Sequence, residues 1–276
     1  MLSSFGRRFW RQDLLKCIYY ITTQKGWTKQ MYLTVRGLVL RVTAYKETDA
    51  ILTVLTENHG KLTLKARGLR RKNSPLIASC QLLAFSEFVL FEYRDFYTIN
   101  EAHSIELFTS LRKDLSKLSL GTYFAQAAEV VSQEDIPNPE LLSLTLNCLY
   151  TLSGGNVSED KIKAVFELRC ACVAGYTPDL ISCHQCGNSL CDRFDVSAGR
   201  IECSACRSSE SDGIRLPLSG GMLDAMRYIC YCDGKKLFGF TVGDETMQKL
   251  AQLTEIFLTT QLERGFSTLD FYKSLM

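Results

Sequence analysis

The sequence has no uncharged hydrophobic run of the roughly 20 residues that a membrane-spanning helix needs. It also lacks a P-loop, a G-x-S-x-G, an H-E-x-x-H and any pair of nuclease-like carboxylates at motif spacing. The three histidines, His59, His103 and His184, are scattered beside a predicted turn, a strand end and a cysteine pair. None of them is therefore a good candidate for a general base. These absences predict a protein that is not an enzyme and that has no membrane partner.

Negative charge is scarce in the first part of the chain. Residues 1–30 hold six Lys/Arg against Asp13 alone, residues 31–103 hold ten against seven acids, and residues 104–276 hold sixteen against twenty-two. A basic N-terminal part followed by an acidic C-terminal part indicates a polyanion-binding module joined to a domain with another function. We interpret residues 1–30 as a basic extension, loosely ordered or reflecting an upstream start. The alternatives are a transit peptide and an arm that touches nucleic acid.

Composition and cysteine usage indicate the class of protein. Hydrophobic residues make up 46% and charged residues 22% of the 276 residues, which is near the globular average and enough chain for two domains. Half of the twelve cysteines lie in apolar segments, where a free thiol behaves as a small hydrophobe; they are Cys80, Cys148, Cys170, Cys172, Cys230 and Cys232. This usage predicts a reducing compartment such as the cytoplasm and disfavours a disulfide scaffold.

Two C-x-x-C pairs, Cys183/Cys186 and Cys203/Cys206, are separated by sixteen residues. This spacing is typical of a four-thiolate zinc site, because each tight turn aims two sulfurs at one tetrahedral ion. Four protein ligands leave no position for a substrate, so the pattern predicts one structural zinc ion per chain in a zinc ribbon at 179–212. A chance cluster or a redox C-x-x-C are the alternatives. His184 and Cys191 could compete as ligands, but Cys191 has no partner at knuckle spacing.

Residues 31–103 carry a β pattern. Segments rich in branched and aromatic residues alternate with the turn signals AYKETD, NHG and Arg94-Asp95, and a conspicuous loop, RRKNSP, follows the third segment. Five short strands in this length predict a small barrel of the OB type.

The third predicted strand is the informative one. Period-two alternation puts Lys61, Thr63, Lys65 and Arg67 on one face, with leucine and alanine on the other. No acid occurs between Glu57 and Glu87. Six cations on this strand and its adjoining loop are therefore our predicted DNA contacts, with ordinary solvation as the alternative; they are Lys61, Lys65, Arg67, Arg70, Arg71 and Lys72.

The sequence predicts a helical domain at residues 104–276, which the zinc ribbon interrupts. Asn138-Pro139 supplies a cap and a first-turn proline for one helix, and Ser158 caps the next, which ends at Gly175. That helix is apolar on nearly every face beyond Ala164, which predicts the centre of the domain. Its cation Arg169 should not be left unpaired, and we expect a structural ion pair with Glu129 on an earlier helix that is similarly apolar. The alternatives are that Arg169 reaches the surface or lines a groove for an acidic protein tail.

From about Met31 onward the chain resembles the RecO family of bacterial recombination mediators. The stretches that carry the resemblance are YKETD at 45–49, TENHGK at 56–61, GLRR at 68–71, FELR at 166–169, GYTP at 175–178, and the two C-x-x-C pairs. No single stretch is diagnostic, but their order is specific. The basic extension 1–30 departs from the family pattern.

The resemblance implies a multi-domain α+β fold: an N-terminal OB-fold β-barrel, then a helical domain interrupted by a zinc ribbon. It also implies a cytoplasmic, nucleoid-associated protein that binds single-stranded and double-stranded DNA, anneals complementary strands and helps load the recombinase RecA. The implied protein partners are RecR and the C-terminal tail of single-stranded DNA-binding protein. A zinc-ribbon nuclease and a protein-binding scaffold without DNA are the competing hypotheses.

Overall fold

The computed structural model describes residues 31–93, 96–206 and 213–276. The predicted basic extension 1–30 and the predicted turn at 94–95 lie outside the described residues. Within the described ranges, no helix is both long enough and apolar enough to cross a bilayer.

A closed five-stranded barrel forms the first part of the described chain, as predicted. The strands are joined in the order β1-β2-β3-β5-β4, with β3 and β5 parallel and the other neighbours antiparallel. This is an OB-like arrangement. Alternate side chains fill the barrel interior, among them Val54, Leu64 and Phe88. The strands are β1 (Met31–Tyr45), β2 (Asp49–Thr56), β3 (Lys61–Ala66), β4 (Phe85–Tyr93) and β5 (Phe96–Glu106).

The long strand β1 serves both sides of the barrel. Its first half pairs with β4 and its second half with β2, and the two pairings overlap at Gly37 and Leu38. A Cβ atom at Gly37 would lie 2.5 Å from the Cγ1 atom of Val54, so the close approach there requires glycine. A register shift between Val39 and Arg41 adds one residue to β1. Leu38 and Leu40 both belong to the core shared with the helices.

The second part of the described chain is helical. Asp114 caps α1 by accepting a hydrogen bond from the Lys117 backbone N–H, and Asn138 caps α2 in the same way through Leu141. Gly155 ends α2 in the left-handed conformation. The helices in the described ranges are α1 (Leu115–Val131), α2 (Pro139–Gly154), α3 (Glu159–Val173), α4 (Gly220–Tyr231), α5 (Asp244–Gln261) and α6 (Ser267–Lys273).

The cysteine-rich segment interrupts the helices between α3 and α4. Its small antiparallel sheet has the order β7-β6-β8, with β6 at Arg193–Asp195, β7 at Arg200–Glu202 and β8 at Arg215–Pro217. The sheet packs on α5, because the Phe194 and Phe257 ring centroids are 5.3 Å apart in an edge-to-face contact. The Gln261 side chain also donates to the carbonyl oxygens of Val196 and Ser197.

Helix α3 is the centre of the helical part, as predicted, and it carries a buried ion pair. The Lys163 Nζ atom lies 3.0 Å from Glu167 Oε1 and 2.8 Å from Glu255 Oε2 on α5. Glu167 also accepts hydrogen bonds from the hydroxyls of Tyr123 on α1 and Thr254 on α5. The Glu167 side chain is fully buried, so these contacts tie three helices to one carboxylate.

The predicted Glu129–Arg169 pair is wrong. The Glu129 carboxylate lies 2.9 Å from Arg41 Nη2 on the barrel. The Arg169 guanidinium donates to the Cys230 and Cys232 carbonyl oxygens and lies 3.6 Å from Glu140. The expectation that Arg169 is not left unpaired was correct, but carbonyl oxygens at the end of α4 satisfy it. The sequence prediction considered only acidic side chains as partners, so it missed the backbone carbonyl oxygens at the end of α4.

The buried pair on α3 has a surface counterpart with the same i,i+4 spacing, Glu245–Lys249 on α5. We expect Lys163→Ala to lower the free energy of unfolding by about 3–5 kcal/mol, because it leaves a buried carboxylate without its cation. Lys249→Ala should change it little, since both residues of the Glu245–Lys249 pair are exposed. Urea unfolding followed by circular dichroism measures both. Equal losses in the two variants would contradict a stabilising role for the buried network.

Candidate nucleic-acid interface and metal centre

The six predicted DNA-contacting cations lie on β3 and the turn after it, but the structure gives them different surroundings. In β3, Leu62, Leu64 and Ala66 are buried, while Thr63 is exposed and Lys61 and Lys65 are half-buried. The alternation predicted from the sequence is therefore present. Exposure rises beyond the end of the strand.

Lys61 lies at the junction between the barrel and the helices. Its Nζ atom donates to the Glu129 carbonyl oxygen at 3.1 Å, and its backbone N–H donates to the Gln133 carbonyl oxygen at 3.0 Å. The neighbouring Gly60 has φ +64°, and a Cβ atom there would lie 2.5 Å from Ile136. Lys61 thus compensates carbonyl groups near the end of α1, where a cation is favourable. This contact competes with a role in DNA binding.

Lys65 lies on the outer barrel surface beside an acid and an aromatic ring. Its Nζ atom is 3.7 Å from Asp49 Oδ2 and 5.3 Å from the centre of the Tyr45 ring. The partner carboxylate offsets part of its positive charge. Lys65 therefore contributes less to the field that an approaching polyanion meets than a cation without a carboxylate neighbour does.

The other four predicted cations are exposed on the turn-rich segment that follows β3. With Lys46, an exposed residue of the β1–β2 hairpin, they make up what we call the basic-loop surface; its members are Lys46, Arg67, Arg70, Arg71 and Lys72. Sequence reasoning missed Lys46, because it lies twenty or more residues before the other cations and only the fold brings the hairpin to them.

Asp49 fixes the basic-loop surface to the barrel. Its Oδ1 atom accepts the Gly68 backbone N–H at 2.8 Å, and Gly68 has φ +66°, a conformation that glycine adopts without strain. This hydrogen bond from Gly68 lowers the pKa of Asp49, and the nearby Lys65 lowers it further. The role of Asp49 was not found from the sequence, where it appears only as the end of a turn.

Arg70 completes the attachment of the loop to the hairpin. Its backbone N–H donates to the Thr48 carbonyl oxygen at 2.9 Å. Its Nη1 atom lies 3.3 Å from the carbonyl oxygens of both Lys46 and Glu47. The loop cations are thus held on a defined backbone, so little ordering is needed before they meet a ligand.

The four cysteines of the two C-x-x-C pairs come together as predicted. Their Sγ atoms all lie within 4.8 Å of one another, and those of Cys186 and Cys203 are 3.6 Å apart. A tetrahedral zinc ion with Zn–S bonds of about 2.3 Å requires sulfur–sulfur distances of about 3.8 Å. The donor set and its spacing therefore fit a zinc-type site. His184 and Cys191 are not part of this group.

Backbone geometry prepares the first knuckle for a metal. The Gly187 N–H donates to the Cys183 carbonyl oxygen at 2.8 Å, with Gly187 at φ +74°. Backbone N–H groups of Cys203, Cys186 and Gln185 lower the pKa of the Cys183 thiol. They thereby favour the thiolate, which is the form that binds a metal.

Comparison with known proteins places both parts of the chain in one family. The family model described as recombination protein O N terminal matches residues 31–108, and that described as recombination protein O C terminal matches residues 112–270. The DNA repair protein RecO of Acetivibrio thermocellus is 36% identical over 246 residues, covering 88% of this chain and 97% of the relative. The DNA repair protein RecO of Bacillus pumilus is 30% identical over 226 residues, with 82% and 87% covered.

The anchoring role of Asp49 predicts an effect opposite to that of charge alone. Asp49→Ala removes an acid, which by itself should strengthen DNA binding, but it also frees the Gly68 N–H. We expect faster hydrogen exchange in residues 67–72 and no gain in DNA affinity. Glu47→Ala is the matched control, since Glu47 is an exposed acid of the same hairpin. Unchanged exchange in Asp49→Ala would contradict the anchoring role.

The metal centre predicts a sharp difference between neighbouring cysteines. Purified protein should hold about one zinc ion per chain, and Cys203→Ser should lose most of it because a ligand is removed. Cys191→Ser should keep it, since the Cys191 thiol contacts the Asn188 carbonyl oxygen at 3.4 Å and lies outside the four-sulfur group. Elemental analysis of the metal content decides. Zinc retained in Cys203→Ser would disprove the ligand set.

Proposed function

This chain belongs to the RecO family of DNA repair proteins, and we propose that it binds single-stranded and double-stranded DNA and anneals complementary single strands. The observation that carries this proposal is the basic-loop surface. Its four loop cations, Arg67, Arg70, Arg71 and Lys72, stand on one segment in which no acid occurs between residues 58 and 86. Lys61 and Lys65, also predicted as DNA contacts, have partners within the protein and play a smaller part.

Binding requires no covalent chemistry. Guanidinium and ammonium groups neutralise phosphates and release the counterions condensed on DNA, which gives affinity without sequence preference. Two single strands bound to a positive surface repel each other less than in free solution. Complementary bases can then pair.

The position of the basic-loop surface on the barrel supports this proposal. OB-type barrels bind oligonucleotides on the face around β2 and β3 and on neighbouring loops. Here the β1–β2 hairpin and the segment after β3 provide the basic-loop surface at that position. The domain division that we propose, residues 31–103 and 104–276, assigns these cations to the first domain, whose last strand β5 continues to Glu106.

The wider role follows from family membership. The chain would help load the recombinase RecA onto single strands coated by single-stranded DNA-binding protein, and its partners would be RecR and the C-terminal tail of that protein. This work takes place on the chromosome, so we assign the chain to the cytoplasm. The cysteines of the described ranges are not in disulfide bonds, which is compatible with that reducing compartment.

The four-cysteine group would hold one structural zinc ion through Cys183, Cys186, Cys203 and Cys206. The ion would stabilise a segment whose sheet has strands of only three residues each. Four thiolates fill the tetrahedron and leave no position for a reacting water. This property favours a mediator over a zinc-ribbon nuclease, and the exposed cations favour DNA binding over a scaffold that binds protein only.

The test removes loop cations without touching the packed ones. In the variant Arg67→Ala/Arg71→Ala/Lys72→Ala, DNA affinity and the rate of strand annealing should fall together. The log–log dependence of affinity on salt should become shallower by about two to three units, because each lost phosphate contact removes roughly 0.7–0.9. Fluorescence anisotropy across a salt series measures both the affinity and the slope.

The matched control is Lys113→Ala/Lys235→Ala/Lys236→Ala, which removes the same charge at exposed positions of the helical part. It should keep the affinity, the annealing rate and the salt slope. Strands recovered after annealing should be intact on a denaturing gel, since cleavage would support the nuclease. If the loop variant binds and anneals like wild type, the basic-loop surface is not the DNA site.

A further inference from the structure

A cavity of about 340 Å³ lies between the end of β1 and the segment that follows β3. Its walls are mainly aliphatic and include one cation; among the lining residues are Val42, Ala44, Leu69, Arg70, Ile77 and Cys80. Neither the metal centre nor the phosphate contacts proposed above account for this apolar space.

The cavity lies beside the part of β1 that continues past its pairing with β4, which ends at Leu38. Val42 lies opposite Leu52 in β2 and on the same face, yet Leu52 is fully buried while Val42 is 39% exposed. This end of β1 is therefore less covered than the strand beside it. The segment after β3 covers the barrel with Leu69 and Cys80, both buried, and leaves a gap beside β1.

The rim of the cavity belongs to the basic-loop surface. Arg70 lines the cavity, and its guanidinium is held near the hairpin carbonyl oxygens of Lys46 and Glu47. Ile77, which is 47% exposed, also lines the cavity. An occupant would therefore contact aliphatic side chains and one arginine that belongs to the basic-loop surface.

We propose that this cavity takes one unstacked nucleobase of a single DNA strand whose phosphates lie on the basic-loop surface. The inference rests on the proposed DNA binding and adds to it a recognition of single strands. A flat, uncharged ring suits aliphatic walls, and an arginine guanidinium stacks on bases. The cations beside the rim complement the phosphates on either side of that base.

This arrangement distinguishes single strands from duplex. A base in a duplex is paired and stacked, so filling the cavity would require a base to be flipped out at a cost of a few kcal/mol. A single strand fills it without that cost. The cavity would thus hold one base of a strand, while the other bases of that strand remain free to pair.

The experiment compares two oligonucleotides of the same length, oligothymidylate and an abasic strand that keeps the phosphates. Wild-type protein should bind oligothymidylate more tightly by roughly fivefold or more, the lower end of the range for a stacked base, because the cavity wall is aliphatic. Ala44→Phe fills the cavity and Ile77→Gln makes its wall polar. Both variants should lose most of this preference while binding the abasic strand as wild type does.

Ile105→Gln is the matched control, because Ile105 is 50% exposed on β5 and does not line the cavity. It should keep the preference for oligothymidylate. Equal affinity of wild type for the two strands, or a preference that survives both cavity variants, overturns the base site while DNA binding stands. Absence of binding to either strand overturns the proposed function and the base site together. Circular dichroism and zinc content verify folding in each variant.

Discussion

The buried carboxylate of Glu167 fixes the arrangement of the helical part. Burial raises the pKa of Glu167 to about 7, while Lys163 and the Thr254 hydroxyl act in the opposite direction. A buried charge left without partners costs several kcal/mol, so the helices must supply partners together. Tyr123 on α1 and Thr254 on α5 can reach Glu167 only when both helices pack against α3. Aromatic contact between Phe124 and Phe166, with ring centroids 4.3 Å apart, reinforces the first of these packings.

The barrel and the cysteine-rich sheet are both attached to these helices. The barrel meets the end of α1 through Lys61, Arg41 and the glycine turn at Gly60. The cysteine-rich sheet rests on α5 through Phe257 and Gln261. Neither junction is a single apolar patch, since each combines leucine or aromatic packing with hydrogen bonds to backbone carbonyl groups. Such directional contacts define the orientation of each part more closely than apolar contact does.

The basic residues of the barrel differ in their partners and their exposure. Lys61, at the junction with the helices, is half-buried and donates to a carbonyl oxygen of α1, and Arg36 and Lys65 lie beside acids. The cations on the loop after β3 are exposed, and Asp49 and the hairpin hold the backbone of that loop in place. One acid among several cations thus serves the binding surface, because it fixes the backbone that carries them.

The sequence alone was sufficient for features that depend on local spacing. Each of these features depends on positions a few residues apart: the cysteine pairs separated by two residues, the alternation along β3, the cap at Asn138 and the apolar run of α3. Local geometry fixes these features whatever surrounds them, and the family-typical stretches gave their order along the chain. The barrel, the helical part and the four-cysteine group could therefore be predicted.

Only the tertiary structure decided which charged side chains have partners inside the protein. Glu129 contacts Arg41 across the junction instead of Arg169, and Lys46 joins cations that lie more than twenty residues later in the chain. The cavity beside Ala44 is lined by residues of β1 and of the segment after β3, which lie more than twenty residues apart in the chain. Such contacts join residues remote in sequence, and a charge carries its interaction to whichever group the fold brings within a few ångströms. The sequence records the charges but not these distances.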